Sequence, residues 1–507
     1  MPASRTSAGS ATRKSKVHPI RSIPQSVWLL AAGLAFVFIC VQFAIRTQPN
    51  SNEAWFADAA RNLWLHGYLG TTILASKGTW LEGIDRHTYW AMPLNLILQP
   101  LWYGLFGFSL FHMRTLSIAA GSGMILGWYL VAGRMMKSWT FALILAVLLA
   151  LDVRVASFSS NGRMDSLCAC FGAAGLAAYL MLRGRSHRLA VVLAHSAVAL
   201  SGLTHPCGIV YAFDLVLLQW WFGGLRGIRK TLLWIFLPYL AFGTAFGIWA
   251  LQDWTSFVGQ FGGNVSGLAG EYKGAGRFGA LGQSWMGIEA EFHGRYFQGA
   301  KGQAAQLTML LYWAGLVWLV MRSGLRTQRR VRLLFAAGMM HFAFFWLFEG
   351  LKLTNYLLHL LPLLVCLAMV AWRDVLESKR LWIAAGVAVL LVLDGFAMRE
   401  NLTGGDREKN YEPVLRILQQ THGMVVTAPA EFAFEIGFDG QIQDDHRLGY
   451  YTGRRPEIFI TNAWQRKWLE QAEKLEPSVA KWIRERLDND YREIYRNELF
   501  VVWRRNK

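Results

Sequence analysis

The chain has 507 residues, of which 54% are hydrophobic and only 17% charged, and it carries a formal net charge of +18. Its many uncharged apolar runs of about 20 residues exclude a soluble protein, because no soluble core buries so many, and they indicate a polytopic α-helical membrane protein. The basic residues sit in short clusters between the apolar runs, which membrane topology explains, so no nucleic-acid partner is expected.

Residues 1–25 contain Arg5, Arg13, Lys14, Lys16 and Arg21 and read as a basic cytoplasmic tail. The run that follows, 27–46, is too long for a signal-peptide core and lacks a small-residue cleavage site, so it is expected to remain as a membrane anchor. The next stretch, Ser51–Pro93, is too polar to span and too apolar to be a linker. Asn52 and Glu53 stand at its entrance, and from Ala54 the spacing of Phe56, Ala60, Leu63 and Trp64 predicts a helix lying in the interface. A second cluster holds Glu82, Asp85, Arg86, His87, Tyr89 and Trp90. Residues 94–110 are apolar but short and contain Pro100, which predicts a re-entrant or interfacial helix.

Spans are expected near 114–133, 139–157, 166–182, 189–203, 208–223, 231–250, 306–321, 333–348, 356–372 and 381–397. With the first, that makes about 11 spans, N-terminus in and C-terminus out, with every basic cluster on one side. Residues 26–398 then form a transmembrane domain with outer loops 47–113 and 252–305; the second is glycine-rich, without a continuous apolar run, and is expected to be mobile in part. The turns carrying Glu53, Asp165, His205 and Lys352 all fall on the outer side, although none of them was used to place the spans. Residues 399–507 read as a small extracytoplasmic soluble α/β domain. GMVVTAPAEFAFEIGF, PEIFIT and ELFVVWRR are strand-like, 464–487 is helical, and no catalytic motif is visible.

Each candidate residue has a plain structural reading beside a chemical one. Glu53 suits the positive end of an interfacial helix, and Asp165 in GRMD suits a helix start. His205, in a Thr-His-Pro turn, is a metal ligand, a phosphate contact or a turn residue. Tyr356 and His359 share a helical face with Lys352, which packing explains equally well. Together they allow more. Two carboxylates can coordinate a divalent metal or take a proton from a hydroxyl, and Arg86, Arg163 and Lys352 can hold phosphate oxygens.

The order of these features is similar to the C-type, polyprenyl-phosphate-sugar-dependent glycosyltransferases, the group that holds protein O-mannosyltransferases and aminoarabinose transferases. NEAWFADAARNLWLHG resembles that family's Asp-Glu motif and Ala-rich interfacial helix. HTYWAMPLNLILQPLWYGLFGFSLFHMR resembles its juxtamembrane helix, "LFG" and Arg stretch. GRMD resembles the second acidic site, and LTHPCG with LKLTNYLLHLLPLL resembles the later turn and basic-aromatic-proline helix. The likeness covers roughly residues 26–370. It implies an integral-membrane glycosyltransferase at the outer face of a bacterial-type inner membrane, moving sugar from a polyprenyl-phosphate donor to a lipid, glycan or protein hydroxyl. Glu53 would be general base or metal ligand with Asp165 as its partner, and Arg86, His205 and Lys352 would steady the donor phosphate. Asn52, Glu82, Asp85, His87, Tyr89, Arg163, Tyr356 and His359 complete the expected substrate-binding set. Asn52 departs from the family, which has Asp there, so Glu53, Glu82 or Asp85 would have to supply the missing carboxylate. The alternatives are a transporter, or a lipid-handling or scaffold protein without transfer chemistry; the first calls for charges near span centres or broken helices.

Overall fold

The computed structural model describes residues 24–270, 288–289, 291–297, 302–322, 328–349, 353–376, 380–403, 405–421 and 423–506. The basic tail, Lys352 and the middle of the second outer loop lie outside the described residues.

Helices stand where the apolar runs predict them. They are α1 (Gln25–Arg46), α4 (Leu110–Met136), α5 (Trp139–Leu151), α6 (Val153–Ser159), α7 (Asp165–Leu182), α8 (His187–Thr204) and α9 (Ile209–Ala250); later come α11 (Gln303–Met321), α12 (Arg329–Phe348), α13 (Leu357–Leu376) and α14 (Arg380–Thr403). Among the described residues, seven helical segments are long and apolar enough to cross a membrane, or eight if the bent pair α5–α6 is one span. The bend is 63°, at Asp152, whose carboxylate accepts from the Arg154 and Val155 amides and so starts a new helix in the middle of an apolar run. In α9 the regular geometry breaks at Gly224 (φ 62°), and 42 residues rise about 63 Å, twice a hydrocarbon core.

Apolar surface gains little from leaving lipid for another helix, so close packing has to hold such a bundle. Accordingly α7 is rich in small residues: a side chain at Gly127 of α4 would strike Ala173, and one at Gly172 would strike the Tyr211 ring of α9. The core helix is α13; 89% of its apolar window is buried, against 17% for α9 at the periphery.

Two further helices lie between α1 and α4. Ser51–His66 (α2) opens with a capping box, in which Asn50 Oδ1 accepts from the Glu53 amide and Glu53 Oε2 from the Asn50 amide. Pro93–Phe106 (α3) has Pro93 in its first turn and, at 14 residues, spans only about 21 Å. The second outer loop begins with an unexpected helix, α10 (Trp254–Gly270). Its glycines hide it in the sequence. It is fastened by Gln260, which accepts from the Tyr89 amide and donates to the His87 carbonyl, and by Asn264, which donates to the Trp90 carbonyl.

After α14 comes a five-stranded sheet of β1 (Val426–Thr427), β2 (Ile442–Gln443), β3 (Ile458–Asn462), β4 (Tyr491–Arg496) and β5 (Phe500–Arg505), in the order β2-β1-β3-β5-β4. β1 runs parallel to β2 and β3, and β5 runs antiparallel to β3 and β4. The helical stretch expected over 464–487 is two helices, Ala463–Leu475 and Pro477–Asp490, divided before Pro477. The strand expected through AEFAFEI is instead a helical turn over 430–436 that follows Pro429, with Phe432 stacked on Tyr411 at 4.7 Å. One apolar core joins this sheet to α2 and α3: Phe56, Ala57 and Leu96 share it with Val426, Phe432 and Ile458.

Candidate active site

The site lies at the end of the bundle where α2, α4 and α7 begin and α8 ends. Its first feature is a buried ion pair. Arg114, in the second turn of α4, grips Glu53 through Nε (2.8 Å to Oε1) and Nη2 (2.7 Å to Oε2), and neither side chain is more than 1% exposed. Gly162 donates its amide to Oε1 at 2.6 Å, and Asn50 donates its backbone and side-chain nitrogens to Oε2 at 3.0 Å. The same arginine donates to the carbonyls of Ala44, Thr47 and Gln48. Glu53 thus ties α1, α2, α4 and the 160–164 turn together, and five donors occupy its two oxygens.

Asp165 opens α7. Its Oδ2 accepts from Arg163 Nε at 2.9 Å and lies 3.5 Å from Asn355 Nδ2, while Oδ1 is buried without a hydrogen-bond partner. Burial is the largest influence and works against the Arg163 charge, but Asp165, Tyr356 and Glu53 together outweigh it and hold that guanidinium's pKa above the ordinary value. The Arg163 Nη groups make no hydrogen bond among the described residues.

His205 caps the turn after α8. Burial pushes its imidazole down to about 4, against the pull of Asp165, so it is neutral at physiological pH. Its Nδ1 accepts from the Cys207 amide, which leaves the proton on Nε2, 3.2 Å from the Tyr356 hydroxyl. His359 pairs Nδ1 with the Tyr211 hydroxyl at 2.9 Å, and its buried Nε2 has no partner. Behind it, His341 bridges Asp214 (2.7 Å) and the His359 carbonyl (3.1 Å). Arg295, from a turn at 291–297, bonds Glu291, Glu349 and the Leu353 carbonyl, and its guanidinium lies over the Tyr356 ring at 5.7 Å.

Glu53, Arg163, Asp165, His205, Tyr356 and His359 therefore gather in one place. The Glu82–Tyr89 cluster is held elsewhere. Tyr89 packs on Trp249 and donates its hydroxyl to that residue's carbonyl, and its neighbours face α10. Among the described residues, no hydrogen bond or ion pair joins the side chains of Glu82, Asp85, Arg86 or His87 to the Asp165 group. Asn52 is half-buried beside Glu53, its side chain without a hydrogen-bond partner among the described residues. Arg114, Arg295, Glu349, Asn355 and Tyr211 were not singled out from sequence. Arg114 had a signal, since an arginine inside an apolar helix is costly unless paired. Arg295, in an irregular glycine-rich stretch, had none.

Of the Glu53–Asp165 metal pair expected from sequence, Asp165 keeps an open oxygen and Glu53 does not. The oxygens of Glu53 are taken, and no three His, Cys, Asp or Glu side chains converge as a metal site among the described residues. No step is assigned to a metal.

Two more buried acids lie where the sheet meets α2. Glu431 accepts from the Ser51 hydroxyl, and Asp444 accepts from Trp55 Nε1 at 3.2 Å. Burial pushes each up to about 7, and Glu431 adds to the effect on Asp444. Between the ordinary carboxylate range and pH 7 the folded chain holds protons that the unfolded chain has lost. Stability is therefore highest below that window and falls as pH rises through it. Glu431→Gln is expected to flatten this fall and raise the melting temperature at pH 8 but not at pH 4.5, as thermal unfolding at the two pH values would show.

The fold is shared with two solved proteins, an aminoarabinose transferase and an oligosaccharyltransferase, both of the kind the sequence pattern resembles. Two solved proteins carry the comparison. ArnT, the aminoarabinose transferase of Cupriavidus metallidurans, bound to undecaprenyl phosphate, superposes with a TM-score of 0.58 at 14% identity over 94% of this chain and 97% of its own. The oligosaccharyltransferase of Archaeoglobus fulgidus, in complex with Zn and sulfate, gives 0.53 at 15% identity over 78% of this chain. The alignment spans 55% of that longer protein. At such identities the likeness establishes the fold. No protein-family model and no curated protein matches the sequence.

Proposed function

We propose that this chain is a membrane glycosyltransferase that moves a sugar from a polyprenyl-phosphate donor to a hydroxyl of a lipid, glycan or protein. The observation that carries the reading is a pair of buried polar atoms without partners, Asp165 Oδ1 and His359 Nε2, beside the partly exposed Nη groups of Arg163. Buried polar atoms are normally paired, so a polar ligand belongs there. In this reading Arg163 holds the donor phosphate, with Tyr356 oriented toward it by His205. As the anomeric carbon leaves the phosphate oxygen and bonds to the acceptor oxygen, the acceptor proton passes to Asp165 Oδ1. Glu53 acts as an anchor, because a base needs a free oxygen. Lys352 and Asn52 are proposed as further donor and acceptor contacts.

The topology proposed with it has 11 spans, the site and residues 399–507 outside a bacterial inner membrane, and the N-terminus inside. Helices stand at every expected span, and α9 is long enough for two. The fold shared with a protein solved with undecaprenyl phosphate supports the donor class. The test is transfer of label from a panel of polyprenyl-phosphate sugars by purified protein, with and without chelator. Label reaching an acceptor, insensitive to chelator, is expected.

One observation favours transport or lipid handling without transfer. Asp152, Arg154 and Asp394 are all fully buried within helices of the bundle, beside the α5–α6 bend. Donor binding with no transfer to any acceptor would move this reading ahead.

A further inference from the structure

The opposite end of the bundle holds a cavity of about 670 Å³ lined by Arg134, Lys137, Arg183 and Arg330, with Trp139 and Phe222 in its wall. It is far from Asp165: α7 begins at Asp165 and ends just before Arg183, 18 residues or about 27 Å away. The four cations come from three separate places, the end of α4, the end of α7 and the start of α12. Among the described residues no carboxylate lines the cavity. None of the four has an acidic partner among the described residues. Positive charge on a cytoplasmic rim accounts for basic residues facing water. It does not account for their convergence on one cavity, where they repel one another.

Two details show how the cations are set. The Arg183 guanidinium lies 3.4 Å from the Phe222 ring centroid; that of Arg134 lies 5.9 Å from the Trp139 centroid and donates its Nε to the Met181 sulfur at 3.0 Å, which leaves its Nη groups free among the described residues. Arg330 spends one nitrogen on the Met135 carbonyl at 3.1 Å. Lys137 sits at the end of α4 with φ 54°, a left-handed position that glycine fills without strain and a long side chain fills with it.

We infer that this cavity binds the phosphodiester headgroup of an anionic phospholipid from the membrane leaflet facing it. A phosphate oxygen pair suits the forked edges of Arg183 and Arg330, Lys137 adds a point charge, and the Trp139 and Phe222 wall with Leu180 meets the acyl region. The site is distinct from the one proposed to take the donor, and it stands whether or not transfer occurs.

The test measures binding of phosphatidylglycerol, phosphatidylcholine and inorganic phosphate to the purified full chain by native mass spectrometry, with melting temperature followed in the same samples. Phosphatidylglycerol is expected to bind and stabilise, and phosphatidylcholine is not. The Arg183→Gln/Arg330→Gln pair is expected to weaken phosphatidylglycerol by about tenfold or more, the scale of one or two cationic contacts. Lys137→Gly removes a charge and relieves the backbone, so it is expected to fold at least as well as the parent and still lose several-fold in binding. Equal binding of the two lipids, or unchanged binding in Lys137→Gly and the double variant, overturns the site. Inorganic phosphate binding as tightly as phosphatidylglycerol overturns the lipid assignment.

Discussion

Asp165→Asn is expected to insert, fold and bind donor, and to transfer sugar about 10²–10⁴-fold more slowly, the usual scale for loss of a general base. The replacement keeps an oxygen toward Arg163 and nearly the same volume, so the packing at the start of α7 survives. It removes the basicity of Oδ1, the carboxylate atom in the site that nothing occupies. His359→Ala is expected to slow transfer less, because Nε2 contributes a contact and no proton transfer. Single-turnover transfer by detergent-purified variants, alongside donor binding, measures both. Full transfer by Asp165→Asn would remove Asp165 from the chemistry and return Glu53 to consideration despite its five donors.

Arg114→Met is expected to cost about 3–5 kcal/mol of stability, because it leaves the Glu53 carboxylate buried without its counter-charge. Thermal unfolding in detergent should show the largest loss of any single change at this end of the bundle. The pair Glu53→Gln/Arg114→Met is expected to recover most of it, since no charge is then stranded. The series also separates two roles for Glu53. An anchor predicts that transfer follows stability and returns in the double variant. A base predicts that Glu53→Gln abolishes transfer while the protein remains stable, and that the double variant stays inactive.

These two residues were legible to different degrees. Asp165 stood out as an acid at the end of an apolar run, on the side shared with Glu53, His205 and Lys352, and through the likeness of GRMD to a second acidic site. Arg114 closed a quoted motif but was given no role, because it stands at the start of a run, where a charge ordinarily faces water; it faces the end of α1 and Glu53 instead. The Glu82–Tyr89 cluster looked equally promising and proved to be occupied with α10. Local density of acids and aromatics did not separate a site from a seam.

The sequence by itself determined that the chain is a helical bundle, where its apolar helices lie, and that the turns carrying Glu53, Asp165 and His205 share an end of it, but not α10 or the bend at Asp152. Apolar length and the placement of basic clusters are properties of each segment alone, and the bilayer reads them one segment at a time. It also placed β3 and β5, whose apolar runs are long enough to stand out. It caught β1 within a longer strand-like run, and it did not place β2, β4 or the helical turn after Pro429, which take their form from what they pack against. Only the tertiary structure decided the bonding of the site: that Glu53 is saturated, that Asp165 has an open oxygen, and that Arg163 keeps free nitrogens. Those facts depend on Arg114, Asn355, Tyr211 and Tyr356 arriving from distant parts of the chain, because a hydrogen bond is fixed by distances of a few tenths of an ångström that no spacing along the chain encodes.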